Sequence, residues 1–348
     1  MNSLQDKLIE LWDRQHPFVS FRVPNSEEVI VYYQNKNNLY STNDMLVSGF
    51  VMSPFSQTEE TYYIPDDLNE TFLRKNIPLS EKHEYNIMED ASKKTDFIEL
   101  ITRAKEQIYS GVFNKVVVSR HLTFPSKKKP VNLFLALENL YPETLVYSLY
   151  LWHHPKVGTW LGASPEQLVN STVKETKTMS LAGTQLYNQY EPSKWTSKEY
   201  EEQAIVTKEM TNDLKTIFPS DQILVKGPLN LRTGNLLHLC THFKMPALKV
   251  PLQLLINALH PTPAVAGVPK EKAIEFIKSE EGYNRLFYTG FLGIITKEKK
   301  HLFVNLRCGQ WKQGKLTLFV GAGITKGSIP ENEWIETQRK ATTLFRIL

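Results

Sequence analysis

The sequence contains only two cysteines, and their surroundings exclude several classes of protein. Cys240 and Cys308 each lie in a mostly apolar run, and neither has the spacing of a metal ligand. A disulfide framework and a cysteine-based metal site are therefore not indicated. We expect two buried, reduced thiols and a cytoplasmic protein, because reducing compartments keep such thiols free.

The sequence also lacks an uncharged apolar segment of the kind that membranes require. The N-terminal residues include Asp6, Glu10 and Asp13, which a signal-peptide core would not contain. The longest uncharged stretch, residues 250–269, holds four prolines, an asparagine and a histidine. We expect a short helix and a loop there and no contact with a membrane.

Strong charge of one sign is absent as well. The 348 residues include 41 Lys and Arg against 37 Asp and Glu, so the formal charge of +4 does not indicate nucleic-acid binding. There is no internal repeat, no Walker loop, and no GxGxxG after a strand. The 41% hydrophobic and 22% charged residues are typical of an ordinary globular protein with one large domain or two.

Hydrophobic periodicity predicts clusters of strands with helices between the clusters, which favours an α+β fold with large, mostly antiparallel sheets. Residues 1–90 form a first region with strands at 29–33 and 45–52, and residues 80–94 are the best candidate for a linker. Residues 91–348 form a second region with sharper patterns. Its predicted helices are 96–111, 131–140, 196–218 and 270–280, and its predicted strands are 115–124, 145–152, 159–161, 168–172, 176–182, 236–244, 286–296, 301–307 and 315–320.

The most informative segment is near the C-terminus. A strand-like run enters Gly321-Ala322-Gly323, which we interpret as a glycine turn, and a helix follows Ser328-Ile329-Pro330. Glu333 and Glu336 share one face of that helix, and Lys340 lies one turn further on. Paired carboxylates beside exposed backbone N–H groups suit a hard cation next to an anion. A hairpin followed by a solvated, charged helix is the alternative.

Eight segments, in this order and spacing, resemble the chorismate-utilising enzymes, which include isochorismate, anthranilate, aminodeoxychorismate and salicylate synthases. The resemblance covers the chain from about residue 96 to the C-terminus and is strongest to isochorismate synthases. It implies the fold of these enzymes, with residues 91–348 as the catalytic domain and residues 1–90 as a variable part packed on the same fold. The segments are residues 115–120, 162–166, 181–184, 198–203, 238–239, 259–265, 285–290 with Arg307, and the segment at 321–340.

The resemblance implies an acid and a base. Lys115 matches the base that activates water, a role that needs a neutral amine and that partial burial favours. Glu166 matches the acid, whose pKa must be raised by an apolar or anionic setting. The ammonia-using members typically have glutamine in place of this lysine. Taken alone, Lys115 also fits a surface lysine at a strand start, and Glu166 a glutamate at a helix start.

The resemblance also implies a Mg²⁺ ion that holds the ring carboxylate of chorismate. Glu202 and Glu336 match its ligands, and Glu333 and Glu199 are expected to act directly or through water. A solvated, glutamate-rich helix face is the alternative. Gln203 stands where the family often has histidine, so the role of that position is open.

The remaining predicted residues bind the substrate. Arg307 and Lys340, with backbone N–H groups of residues 321–323, are expected to hold the enolpyruvyl carboxylate. The residues expected to border the ring are His238, Gly183, Thr184 and Ala264. His238 is expected to donate to the leaving hydroxyl or to orient Glu166, although a lone strand histidine is more often structural. Ala264 belongs to a Leu-His-Pro-Thr-Pro-Ala-Val run typical of isochorismate synthases.

The resemblance therefore implies a Mg²⁺-dependent isochorismate synthase that acts on chorismate without an amidotransferase partner. Its product would enter menaquinone or siderophore synthesis. Salicylate synthase, an aminating synthase and a non-catalytic chorismate-binding regulator are the alternatives. No sequence pattern indicates a coiled coil or a long exposed apolar face, so we expect a monomer.

Overall fold

The computed structural model describes residues 3–74, 91–140, 145–187, 190, 193–234 and 236–348. In these residues the chain forms two antiparallel sheets of nine strands each, with helices packed on them. The predicted α+β fold with large antiparallel sheets is thereby confirmed.

The helices of the described residues are amphipathic or capped in ways that the sequence explains. Ser3 accepts a hydrogen bond from the Asp6 N–H and so begins the first helix, and Thr196 and Glu199 form the equivalent capping box before the fourth. The helices are α1 Leu4–Asp13, α2 Ala91–Tyr109, α3 Pro130–Glu138, α4 Ser197–Lys215, α5 Leu252–Leu259, α6 Lys270–Glu280 and α7 Pro330–Phe345.

The strands of the described residues, in chain order, are β1 Phe18–Arg22, β2 Glu28–Tyr33, β3 Tyr40–Thr42, β4 Gly49–Ser53, β5 Thr61–Pro65, β6 Asn69–Leu73, β7 Lys115–Pro125, β8 Ser148–His154, β9 Gly158–Ser164, β10 Gln167–Thr172, β11 Glu175–Leu186, β12 Leu224–Thr233, β13 Leu236–Pro246, β14 Gly267–Val268, β15 Phe291–Ile295, β16 Lys299–Val304, β17 Cys308–Lys312 and β18 Lys315–Ile324. The first sheet has the order β14-β7-β18-β17-β9-β8-β1-β2-β6. The second has the order β12-β13-β11-β10-β16-β15-β4-β5-β3.

The N-terminal region contributes strands to both sheets. β1 pairs with β8 in the first sheet, and β4 pairs with β15 in the second. The strands that follow extend each sheet outward from these two pairings. Residues before position 74 therefore complete the same two sheets as the rest of the chain.

The two sheets face each other across an aromatic core. Phe21 and Trp152 of the first sheet and Phe50 and Phe303 of the second belong to one buried cluster. A second cluster places α4 and α5 against the second sheet, and two others place α1 and α3, and α2 and α6, against the first. Burial of these side chains is the main stabilising contribution to the fold.

The predicted glycine turn at residues 321–323 was wrong. β18 continues through these residues, which pair with β7 so that Gly321 lies opposite Ser119 and Gly323 opposite Val117. A Cβ atom on Gly323 would lie 2.4 Å from Glu202 Oε1. These glycines therefore leave space beside an extended strand. They do not reverse the chain, as the sequence had predicted.

Other corrections concern strands. The predicted strand at 286–296 begins only at Phe291, and the one at 301–307 ends at Val304, so Arg307 lies in a connection with a positive φ of 48°. Sequence patterns did not predict β17 or the N-terminal strands β1, β3, β5 and β6. They also did not predict the mostly exposed β12, which Gly227 and Pro228 interrupt with a register shift. Most of the predicted linker at 80–94 lies outside the described residues, and its last four residues, 91–94, are helical in α2.

Candidate active site

One cavity gathers residues from both sheets, from α4 and from α7. Its walls come from β7 and β18 of the first sheet, from β11 and β13 of the second, and from the connections between strands. Tyr288 and Phe319 stack with their ring centroids 5.5 Å apart and form an aromatic part of the wall. The predicted site residues that line it are Glu166, Gly183, Thr184, Glu202, His238, Ala264, Arg307, Gly321, Gly323, Glu336 and Lys340.

Four predicted site residues do not line this cavity. Ala322 points to the opposite face of β18 and is buried in a hydrophobic cluster, as the alternation of a strand requires. Glu199 caps α4, because its Oε2 accepts hydrogen bonds from Thr196 N at 2.9 Å and Thr196 Oγ1 at 2.5 Å. Lys115 and Glu333 are 1% exposed and lie directly behind lining residues.

Lys115 begins β7 with its side-chain nitrogen buried against the Glu202 carboxyl group. Its Nζ lies 3.1 Å from Glu202 Oε1, and Glu202 reaches the same place from α4. Gly323 makes this approach possible, because a Cβ there would also lie 3.2 Å from Lys115 Cε. The strand start, the helix and the glycine therefore determine together where the lysine lies.

Glu166 lies in the connection between β9 and β10 and has few polar neighbours. Burial raises the pKa of its carboxyl to about 7, although Lys115, Thr262 and Lys340 act in the opposite direction. Thr262 Oγ1 donates to Glu166 Oε1 at 3.4 Å. A carboxyl with this pKa holds a proton over part of the neutral range and can act as a general acid.

His238 is neutral and holds Arg307. Burial, with Arg307 and Lys340 nearby, lowers the pKa of His238 to about 3. Arg307 Nη2 donates to His238 Nε2 at 3.3 Å, so the ring hydrogen is on Nδ1, which donates to the Gly183 carbonyl at 3.0 Å. Both ring nitrogens are therefore occupied by Arg307 and by the Gly183 carbonyl of β11. The role expected from the sequence was a donor to the leaving hydroxyl or to Glu166.

The two carboxyl groups of α7 have pKa values shifted in opposite directions. Burial and the neighbouring Glu336 raise the pKa of Glu333 to about 7, against the effect of Lys198 at 2.5 Å. Burial alone would raise the pKa of Glu336 as well, but Lys340 at 2.7 Å, with Lys198 and Arg307, lowers it below its ordinary value. Glu336 is therefore the ionised member of the pair.

The donor set fits a magnesium ion that shares its ligands with water and substrate. Among the described residues, no three His, Cys, Asp or Glu side chains are grouped so as to hold a metal by themselves. Glu202 and Glu336 nevertheless line the same cavity, and Mg²⁺ is usually held by one or two carboxylates together with waters and substrate oxygens. The space that Gly323 leaves beside the Glu202 carboxylate is the local feature that keeps this oxygen accessible.

Two basic residues at the site, Lys198 and Arg285, were given no role from the sequence alone. Lys198 forms an ion pair with Glu333, and its charge also interacts with Glu336 and Glu202. It therefore belongs with these three glutamates. Its position one residue before Glu199 was a usable signal, because it begins the same charged segment. Arg285 was part of the quoted motif but was given no role.

Arg285 forms hydrogen bonds with three segments that line the cavity. It is 2% exposed, and it donates to the Val117 carbonyl at 2.7 Å, the Val265 carbonyl at 2.9 Å and Thr289 Oγ1 at 3.2 Å. Its Nε donates to Glu281 Oε2 at 2.8 Å. Since Val117, Val265 and Thr289 all line the cavity, Arg285 determines the separation of these walls without reaching the cavity itself.

Comparison with known proteins identifies the family. A sequence profile described as "Chorismate binding enzyme" matches residues 23–348. The chain therefore belongs to the chorismate-binding enzyme family. In the part of the chain that the structure describes, no helix is long and apolar enough to cross a membrane.

The individual relatives are named either isochorismate synthase or anthranilate synthase. The chain is 30% identical to isochorismate synthase DhbC of Bacillus subtilis over 282 residues, which are 76% of this chain and 70% of the relative. It is 29% identical to isochorismate synthase MenF of Escherichia coli over 73% of this chain, a match that spans only 60% of the relative's length. Anthranilate synthase component 1 of Acetivibrio thermocellus is 26% identical over 93% of this chain and 68% of the relative.

Solved structures show the same fold. The putative 2,3-dihydroxybenzoate-specific isochorismate synthase of Bacillus anthracis superposes with a TM-score of 0.81, at 23% identity, over 99% of both chains. The menaquinone-specific isochorismate synthase of E. coli superposes with a TM-score of 0.80, at 22% identity, over 96% of this chain and 89% of the other. At these identities the likeness extends to the fold alone.

Proposed function

We propose that this protein is a Mg²⁺-dependent isochorismate synthase, an isomerase that converts chorismate into isochorismate. The observation that carries the proposal is a buried lysine, Lys115, near a buried carboxyl, Glu166, whose pKa is about 7. Water addition at C2 of the ring needs a base, and departure of the C4 hydroxyl needs an acid. The relatives named isochorismate synthases support the same reaction.

Each proposed residue has one task. Lys115 takes a proton from the water that attacks C2, and Glu166 gives a proton to the hydroxyl that leaves C4 while the ring double bonds shift. Arg307, fixed by His238, binds the enolpyruvyl carboxylate with Lys340. The aromatic wall of Tyr288 and Phe319 excludes water from the far side of the ring.

Glu202 and Glu336 are the proposed magnesium ligands, with Glu333 close to Glu336. Glu199 would act only through water, because its carboxylate caps α4. When bound, Mg²⁺ would neutralise and position the ring carboxylate of chorismate. Lys115 lies beside Glu202 and Lys340 beside Glu336, so each proposed ligand has a lysine nitrogen next to it.

An aminating reaction is the second candidate, because anthranilate synthases are similar to this chain. It is disfavoured by Lys115, since a lysine at this position is typical of the water-using branch. With water as the nucleophile, no amidotransferase subunit is required. The product would enter menaquinone or 2,3-dihydroxybenzoate synthesis, the two routes named for the structural relatives.

Product analysis tests the proposal. The purified chain is incubated with chorismate and Mg²⁺, and parallel reactions contain EDTA or ammonium. We expect isochorismate with Mg²⁺, none with EDTA, and no effect of ammonium. Salicylate and pyruvate would indicate a salicylate synthase, anthranilate or aminodeoxychorismate an aminating enzyme, and binding of chorismate without turnover a regulator; each of these results would overturn the assignment.

A further inference from the structure

A second cavity, of about 430 Å³, borders the same loop as the candidate active site. His260 lines this second cavity, whereas Ala264 and Val265, a few residues later, line the first. Its other walls come from the N-terminal strands and from α5. The lining residues that matter here are Gln57, Glu59, Glu60, Gln253, Ile256 and Phe291.

The charges of this cavity are of one sign. Glu59 and Glu60 are on its wall, and its lining contains no lysine or arginine. Ile256 and Phe291 add an apolar patch from α5 and β15. The lining therefore suits a positively charged molecule with a short apolar part, and it opposes a carboxylate or phosphate.

A buried acceptor at the wall has no partner in the described residues. His260 is 2% exposed, and its Nε2 lies 3.2 Å from the Pro54 carbonyl oxygen, so Nε2 carries the ring hydrogen. Burial lowers the pKa of His260 to about 4, against the opposing effect of the Pro54 and Phe55 backbone, which leaves Nδ1 as a lone-pair acceptor, and among the described residues no donor lies within hydrogen-bond distance of it. Gln253 Oε1 is a second acceptor without a partner on the same wall. Buried polar atoms are normally paired, so these two indicate a missing donor.

From this geometry we propose that the second cavity is a binding site for a small organic ammonium ion. Its N–H groups donate to His260 Nδ1 and Gln253 Oε1, its charge is balanced by Glu59 and Glu60, and its hydrocarbon part packs on Phe291. An ammonium ion matches this wall because it has only donors. A bare metal ion matches it less well, since it would leave the apolar patch unused.

The site is connected to the catalytic carboxyl through one loop. Gln57, on the wall of the second cavity, donates to the His260 carbonyl. Two residues later Thr262 donates to Glu166. An occupant that moves His260 therefore changes the position of the Thr262 hydroxyl, and with it the acid that the proposed reaction uses.

Calorimetry with n-butylammonium as the probe tests the binding step on the full chain, at constant ionic strength. We expect saturable binding of n-butylammonium and none of butyrate or n-butanol. The Glu59→Gln/Glu60→Gln double variant should weaken binding by about three- to fivefold, as expected for exposed charges. Glu298→Gln, which removes an exposed carboxylate on the β15–β16 turn, is the matched control and should bind as the wild type does.

A second readout needs no variant and keeps the proposal falsifiable if the double variant does not fold. The ¹⁵N resonance of His260 Nδ1 should shift on addition of n-butylammonium, because a lone pair becomes hydrogen-bonded. Equal binding of all three probes, wild-type binding by the double variant, or an unchanged Nδ1 resonance would each overturn the site. Because binding is measured without turnover, failure of the proposed function would leave this result unaffected.

Discussion

The two walls of the candidate active site surround their ionisable groups differently. On one wall burial raises the pKa of Glu166 to about 7, so that it holds a proton over part of the neutral range, and burial lowers the pKa of His238 to about 3, so that its ring is neutral. On the other wall Glu202 and Glu336 each face a lysine within 3.1 Å. Spacing along α7 predicts the Glu336–Lys340 pair, but sequence neighbours predict neither the burial of Glu166 nor the contact of Lys115 with Glu202.

The comparison shows that burial and the charged neighbours together set the state, since burial raises the pKa of a carboxyl and an adjacent lysine lowers it. Glu336 keeps a lowered pKa because Lys340 is one helical turn away and forms an ion pair with it. The nearest hydrogen-bond donor to Glu166 is the Thr262 hydroxyl at 3.4 Å. One wall can therefore supply a proton, and the other can bind a cation or an anionic substrate.

The largest expected effect is on the charged wall. Lys115→Ala removes the proposed base and leaves Glu202 without its ion-pair partner, so we expect turnover to fall by about 10⁴-fold. Mg²⁺-dependent binding of chorismate should persist, which calorimetry would measure. Near-normal turnover in this variant would remove Lys115 from the role of base.

On the neutral wall, Glu166→Gln keeps the shape of the side chain and removes the proton. We expect turnover to fall by roughly 10²- to 10³-fold. In the wild type, kcat should decline as the pH rises through about 7, because the acid must hold its proton. This decline should disappear in the variant; a wild-type pH profile there would show that another group is the acid.

Glu336→Gln tests the charged wall as a metal site. Loss of one proposed ligand should weaken Mg²⁺ binding by about 10- to 100-fold, measured as the Mg²⁺ dependence of turnover and by direct titration of the protein with Mg²⁺. Glu331→Gln, an exposed glutamate on the first turn of the same helix, is the matched control. An unchanged Mg²⁺ dependence would remove Glu336 from the ligand set.

Arg285→Lys tests whether both walls depend on one positioning residue. Lysine keeps the charge but cannot hold Val117, Val265 and Glu281 at once, so we expect kcat to fall by about tenfold with little change in the pH profile. Arg103→Lys, at an exposed ion pair with Glu280, should change nothing measurable. A shifted pH profile would instead place Arg285 in the electrostatics of Glu166.

The smallest expected effect is on stability. The pKa of Glu166 is about 7 in the folded chain and near 4.5 ordinarily, so the folded state binds the proton more tightly. Its stabilising contribution is complete below pH 4.5 and is lost as the pH rises through about 7. Glu166→Gln should therefore gain about 1–3 kcal/mol over the wild type between these pH values, measured by urea unfolding. A constant difference across this range would contradict the burial argument.

Sequence patterns predicted much of the architecture because hydrophobic periodicity is local. The helix predicted at 270–280 has the bounds of α6, and the strand predicted at 115–124 is β7 with one further residue. Two of the failed strand predictions have a clear cause, because one strand is exposed and the other contains glycines. β12 is exposed along most of its length, and Gly321 and Gly323 lie in an extended strand.

For the site, the sequence by itself determined which residue types are available and in what order, including the carboxylates at three-residue spacing on α4 and α7. It could not show that Lys198 and Lys115 pair with carboxylates of distant segments. Those outcomes depend on contacts across more than 80 residues of chain. Only the tertiary structure decides them, because the pKa and the partner of a buried group are set by what packs against it, and no local pattern records that packing.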